Sequence, residues 1–136
     1  MIYGIGVDLI EIERIRAAVH RFGERFAQRI LGVREIERYQ SRRQRSEARG
    51  IAFLATRFAA KEAISKALGL GMRSPMSWRA VEIVNDPSGR PVAVVSGEEL
   101  RHYVERLGLK LHVSLTDERG HAAAYAIAEF ERGASA

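Results

Sequence analysis

The chain has 136 residues, 46% of them apolar and 29% charged, the balance of an ordinary globular protein large enough for one core. It has no cysteine, which excludes disulfides and thiolate metal sites, and no apolar run near the roughly 18 residues that a membrane span needs. The net charge of +5 is concentrated early, since residues 1–50 hold eleven arginines, no lysine and seven acids, against eleven basic and ten acidic residues in 51–136. That excess suits an acidic partner, whether a nucleic acid, an anionic surface or an acidic protein.

Residues 2–8, Ile-Tyr-Gly-Ile-Gly-Val-Asp, read as a short buried strand whose glycines allow another backbone to come close. The same start lacks the basic lead and long apolar stretch of a secretory signal, so a cytoplasmic location is expected. Asp8 ends the apolar run, either at a cleft or as a plain cap for the next turn or helix. Two short helices are predicted at 13–20 and 23–30, the second with Phe22, Phe26 and Ile30 in phase, and a third at 33–42. Ser41–Gly50 is arginine-rich, a mobile connection or a basic extension of the next helix.

The longest helical pattern runs from about 48 to 69, rich in alanine, leucine, lysine and glutamate and stopped by Gly69 and Gly71. At roughly 100° per residue, Leu54, Phe58, Lys61, Glu62, Ser65 and Lys66 are predicted to share one face. Small apolar residues such as Ala60, Ala63 and Ala67 share the other. Downstream, strands are predicted at 80–85 and 92–95 around a turn over 85–91, with a helix at 97–107 opened by a Ser96/Glu99 capping box. Strands at 111–116 and 122–130 flank a turn at 117–120. Helices first and a mostly antiparallel sheet later indicate an α+β fold.

The common nucleotide signatures are missing: there is no P-loop, and Gly4-x-Gly6 lacks a dinucleotide fingerprint's third glycine. The four histidines show no zinc spacing. Carboxylates and lysines remain. Magnesium is typically held by one or two carboxylates, waters and substrate phosphates. Asp8 and Glu62 are a candidate pair that only folding could bring together, and Lys61 and Lys66 beside Glu62 would suit a pyrophosphate.

Three blocks then carry a resemblance: Gly4-Ile-Gly-Val-Asp-Leu-Ile-Glu-Ile-Glu-Arg-Ile15, Phe53-Leu-Ala-Thr-Arg-Phe-Ala-Ala-Lys-Glu-Ala-Ile-Ser-Lys-Ala-Leu-Gly-Leu-Gly71, and His112-Val-Ser-Leu-Thr116. In order and spacing the chain resembles the short, single-domain phosphopantetheinyl transferases called holo-[acyl-carrier-protein] synthases, with residues 1–136 as one domain. The resemblance implies the transferase fold of that family, a mostly antiparallel sheet packed on one long helix with short N-terminal helices. It implies transfer of 4′-phosphopantetheine from coenzyme A to a serine of apo acyl carrier protein, releasing adenosine 3′,5′-bisphosphate, in support of fatty acid biosynthesis.

Matched position by position, the resemblance implies that Asp8 and Glu62 hold Mg2+ and that Lys61 lies by the transferring phosphate. It places Arg57, Phe58, Ser65, Lys66, Gly69 and His112 at the coenzyme A site, and Arg14, Arg25, Phe26 and Arg29 on the surface that docks the acidic carrier. Short members of the family are trimers with sites shared between protomers, so a homotrimer is expected, with neither nucleic acid nor membrane as a partner. The general base is open between a bound water and Glu62. A non-enzymatic basic oligomer that binds nucleic acid or phosphates is the alternative. Its weakness is the 7% aromatic content without paired stacking residues.

Overall fold

Glycines at alternate positions of the first strand let a helix lie closer to the sheet than any side chain would allow, and the fold is arranged around that contact. The computed structural model describes residues 1–132; the last four positions of the expected domain lie outside the described residues. The elements are β1 (Ile2–Glu11), α1 (Ile12–Phe22), α2 (Glu24–Ile30), α3 (Val33–Arg45) and α4 (Glu47–Leu68), then β2 (Val81–Asn85), β3 (Pro91–Val95), α5 (Glu98–Leu107), β4 (Leu109–Glu118) and β5 (His121–Phe130). The architecture is α+β, as predicted. The strands divide into an antiparallel sheet of order β1–β5–β4 and a separate β2–β3 hairpin.

Helix α4 packs across one face of the larger sheet, against β1, β5 and β4. A Cβ at Gly4 would collide with the Ala67 carbonyl, and one at Gly6 with the Ala63 carbonyl. On β5, Ala122, Ala124, Ala126 and Ala128 are all buried beneath the same helix. Small residues every second position along two strands thus make a shallow bed, since alternate strand residues point to one face.

The opposite side of α4 is covered by α3 and, at the edges, by α1, α2 and β2. This corrects the expectation of a single polar face. Leu54, Lys61 and Ser65 are buried, and along the predicted polar stripe only Lys66 is exposed. A helix covered on both sides is a core helix, and two of its hydroxyls are satisfied by its own backbone. Thr56 Oγ1 donates to Phe53 O at 2.8 Å and Ser65 Oγ to Glu62 O at 2.7 Å.

Two local readings are also decided. Of the two for the arginine-rich segment 41–50, the helical one holds and the mobile connection does not: α3 runs through Arg45, α4 begins at Glu47, and Ser46 between them accepts a 3.4 Å bond from Arg49 N. Nor does Ser96 pair with Glu99 in a capping box. Gly97 is the N-cap of α5 without a side-chain cap bond; Ser96 Oγ donates to Arg79 O at 3.2 Å, and Glu99 accepts from Ser74 Oγ at 3.0 Å. Both Ser96 N and Gly97 N are drawn to Ala80 O, which sets the entry to the helix before a serine cap can form.

Candidate active site

The close contact of β1 with α4 delivers Asp8 to the helix. Asp8 follows Gly4 and Gly6 on the inward side of β1, and its side chain is 17% exposed. Lys66, in the last turn of α4, reaches across with Nζ 2.9 Å from Val7 O and 3.3 Å from Asp8 Oδ1. Glu62 lies one turn earlier on the same helix. Its carboxyl is pushed above the usual glutamate range by partial burial and by the charge of Asp8, with Lys66 acting in the opposite direction. Two carboxylates and a lysine thus meet at the edge of the sheet.

Lys61 is not brought to this cluster. Its ammonium is fully buried, 2.6 Å from Glu35 Oε1 and 2.6 Å from Ile30 O. Burial pulls its pKa down while the Glu35 carboxylate pulls it back up. Consecutive residues on a helix point about 100° apart, so Lys61 turns toward α2 and α3 while Glu62 turns toward Asp8. Ser65 also faces inward and spends its hydroxyl on Glu62 O. Gly69 holds the left-handed C-cap of α4, φ 73°, with open space where a side chain would be. It ends the helix beside Lys66 and leaves that rim unobstructed.

Arg57 occupies a second region of α4. Its guanidinium lies 4.0 Å from the centre of the Phe53 ring, with Nη1 donating to Thr56 Oγ1 and Nη2 to Asn85 Oδ1, at 3.2 and 3.3 Å. Nε is buried without a partner among the described residues, and burial lowers the pKa to about 10. A groove of about 290 Å³ beside it is lined by Arg42, Arg49, Thr56, Thr116 and Asp117 among others. A buried cation without an ion-pair partner, opening on a groove where two more arginines outnumber the one carboxylate, favours an anionic ligand.

Phe58 stacks between Phe26 and Trp78, with ring centroids 6.4 and 4.6 Å away. It therefore supports α2, where Arg25 and Arg29 are exposed and Phe26 is half-buried. Arg14 is exposed on α1. His112 lies across the sheet from the carboxylates: it alternates outward on β4 and pairs with Glu129 at 3.0 Å. Within one chain, Asp8, Glu62 and Lys66 meet, and Lys61 and His112 do not join them.

Sequence reasoning missed Glu35, Asn85 and Trp78. Each is a contact across the fold rather than part of a local pattern. The one signal for Glu35 was an acid three residues past Gly32, and its carboxylate does accept from Gly32 N at 2.9 Å.

The family model of the 4′-phosphopantetheinyl transferase superfamily matches residues 4–127. The chain belongs to this superfamily. It is 57% identical over 129 residues to the holo-[acyl-carrier-protein] synthase of Herminiimonas arsenicoxydans, covering 95% of this chain and 98% of that protein. With that of Bordetella pertussis it shares 59% over 128 residues, covering 94% and 83%. Among solved structures, the Neisseria meningitidis synthase superposes with a TM-score of 0.86 at 36% identity, covering 95% of this chain and 99% of that one. A Bacillus anthracis synthase in complex with CoA (3′,5′-ADP) gives a TM-score of 0.80 at 32% identity, covering 96% and 99%. The phosphopantetheinyl transferase fold therefore extends over nearly all the described residues.

Proposed function

We infer that this transferase moves 4′-phosphopantetheine from coenzyme A to a serine hydroxyl of an apo acyl carrier protein. The observation that carries the reading is the meeting of Asp8 with Glu62 and Lys66, made possible by the glycine contact of β1 with α4. In the reaction the serine oxygen bonds to the β-phosphorus and loses its proton. The bond from that phosphorus to the bridging oxygen breaks, and adenosine 3′,5′-bisphosphate leaves.

The residues fit magnesium as cofactor. Asp8 and Glu62 are hard oxygen donors; partial burial first and the Asp8 charge second raise Glu62, and a divalent cation beside them would offset both. Among the described residues no group of three or more candidate ligands gathers, so Asp8 and Glu62 would hold the ion together with substrate oxygens and waters. The ion would supply neutralisation of the pyrophosphate charge as the bond to the leaving group breaks. Lys66 holds its ammonium at the same rim and is placed to bind pyrophosphate oxygens by charge-assisted bonds. The Arg57 groove would take a further anionic part of coenzyme A. Arg14, Arg25 and Arg29 would steer the acidic carrier, with Phe26 as an apolar contact.

A homotrimer belongs to the same reading. The outer face of the sheet exposes Ile5 (72%), Leu9 (67%) and Tyr125 (64%), and His112 lies on that face. Packing it against another copy would bury it and carry His112 toward a neighbour's carboxylates. The same reading takes the cytoplasm as compartment and fatty acid synthesis as the destination of the modified carrier. Among the described residues no helix is long and apolar enough to cross a membrane. The test is incubation with coenzyme A, magnesium and apo carrier, followed by intact mass measurement of the carrier. A gain of one phosphopantetheine is expected; an unchanged mass across several carriers sinks the proposal.

A further inference from the structure

We propose that Glu35 is a positioning residue for transfer, acting through Lys61 to hold the carrier-docking helix and Glu62 in one frame. The inference rests on the reading of α2 as the carrier's dock. Glu35 is buried in the first turn of α3. Its Oε1 accepts from Lys61 Nζ at 2.6 Å and from Gly32 N at 2.9 Å, and Oε2 accepts from Ile83 N at 2.8 Å. Lys61 Nζ donates in addition to the carbonyl of Ile30, the last residue of α2, at 2.6 Å. One ion pair therefore ties the end of α2, the start of α3, the body of α4 and the middle of β2.

The chemistry of the pair suits alignment better than stability. A buried ion pair gives back little net free energy, because desolvating both charges offsets their attraction, and apolar residues of equal volume would often serve as well. What it has that apolar packing lacks is direction: each bond accepts one geometry. Four bonds converge on the carboxylate and ammonium, and all of them fix helix ends or a strand edge. Lys61 is also the neighbour of Glu62. Anchoring Lys61 inward sets the rotation of that turn of α4 and so aims Glu62 at Asp8. Seven-residue α2, which carries Arg25 and Arg29, is held at its C-terminal end by the same ammonium.

The test compares wild type, Lys61→Met, Glu35→Gln, the double variant and Arg25→Glu, varying carrier at saturating coenzyme A and then the reverse. Lys61→Met is expected to lower kcat and to raise KM for the carrier about tenfold, the size of a coupling between contacting groups. KM for coenzyme A should stay within about twofold of wild type, since the groups assigned to it are untouched. The double variant should lose less than the product of the two single losses. Glu35→Asp, which keeps the charge but withdraws it by one methylene, gives the same readout should Lys61→Met fail to fold.

An equal rise in both KM values overturns the proposal in favour of Lys61 acting on the pyrophosphate. A fall in active fraction with both KM values unchanged reduces the pair to structural support. Independent, multiplicative losses remove the claim that one residue acts through the other. Arg25→Glu keeps the two readings apart. If it raises KM for the carrier while the Lys61 and Glu35 variants do not, positioning alone fails; if it has no effect, the docking surface fails and positioning with it.

Discussion

On the inner face of the three-stranded sheet, Gly4 and Gly6 lie under α4 with no room for a side chain, the alanines of β5 are buried beside them, and Asp8 continues the row. On the outer face, the intervening residues Ile5, Val7, Leu9, Tyr125 and Ile127 are large, apolar and exposed. The same strands thus present two kinds of hydrophobic surface, one filled by α4 and one exposed. The contrast shows how alternation separates tasks. Inward positions set the distance between β1 and α4 and so place the carboxylates; outward positions are free to specify assembly.

Breaking the inner face at its chemistry should have the largest effect. Glu62→Gln removes one of the two facing charges, and kcat should fall roughly 10²–10³-fold, with the thermal melt close to that of wild type. Retained activity in a carrier mass assay would remove Glu62 from the mechanism. Gly6→Ala attacks the packing instead. Its methyl would meet the Ala63 backbone, which cannot swing away like a side-chain tip, and a loss of about 3 kcal/mol is expected in urea unfolding. An unaltered midpoint would mean that α4 can shift outward freely, and the contrast between the two faces would weaken.

The outer face should respond in assembly before it responds in folding. Leu9→Glu is expected to shift the protein toward monomer in light scattering, with activity down about tenfold at equal concentration. A monomeric variant with full activity would mean that one chain holds a whole site. His112→Ala should have the smallest effect, raising KM for coenzyme A by roughly tenfold or less, the size of one bond to a charged group. Its stronger use is in mixture. Co-refolded Glu62→Gln and His112→Ala chains should recover a fraction of sites with the wild-type KM for coenzyme A, because some interfaces then pair an intact Glu62 with an intact His112. Absence of any recovery would place both residues in the same chain's site.

Much of this was legible in the residues, and the gaps have a common cause. The strands, the helix order and the turn at 85–91 follow local pattern, and they appear within a few residues of their predicted limits. Ser96 and Glu99 carried a correct local signal for a helix start, and a long-range pull from Ala80 O overrode the cap itself. The stripe on α4 went astray for a similar reason. Helical periodicity says which residues share a face; it does not say how many sides of the helix will be covered. Once α3 covers the far side, Lys61 becomes an interior residue that needs Glu35, while Lys66 at the open end stays exposed and reaches Asp8.

By itself the sequence determined that β1 could approach a helix closely, that α4 would be long and end at Gly69, and that Glu62 and Lys66 would sit one turn apart. Those properties depend on steric size and on spacing along a single element. Only the tertiary structure decided that Asp8 joins that pair, that Lys61 turns away from it toward Glu35, and that His112 lies beyond the sheet. Such outcomes depend on which surfaces are buried against which, and in this chain they are set by contacts between residues that local periodicity treats as independent.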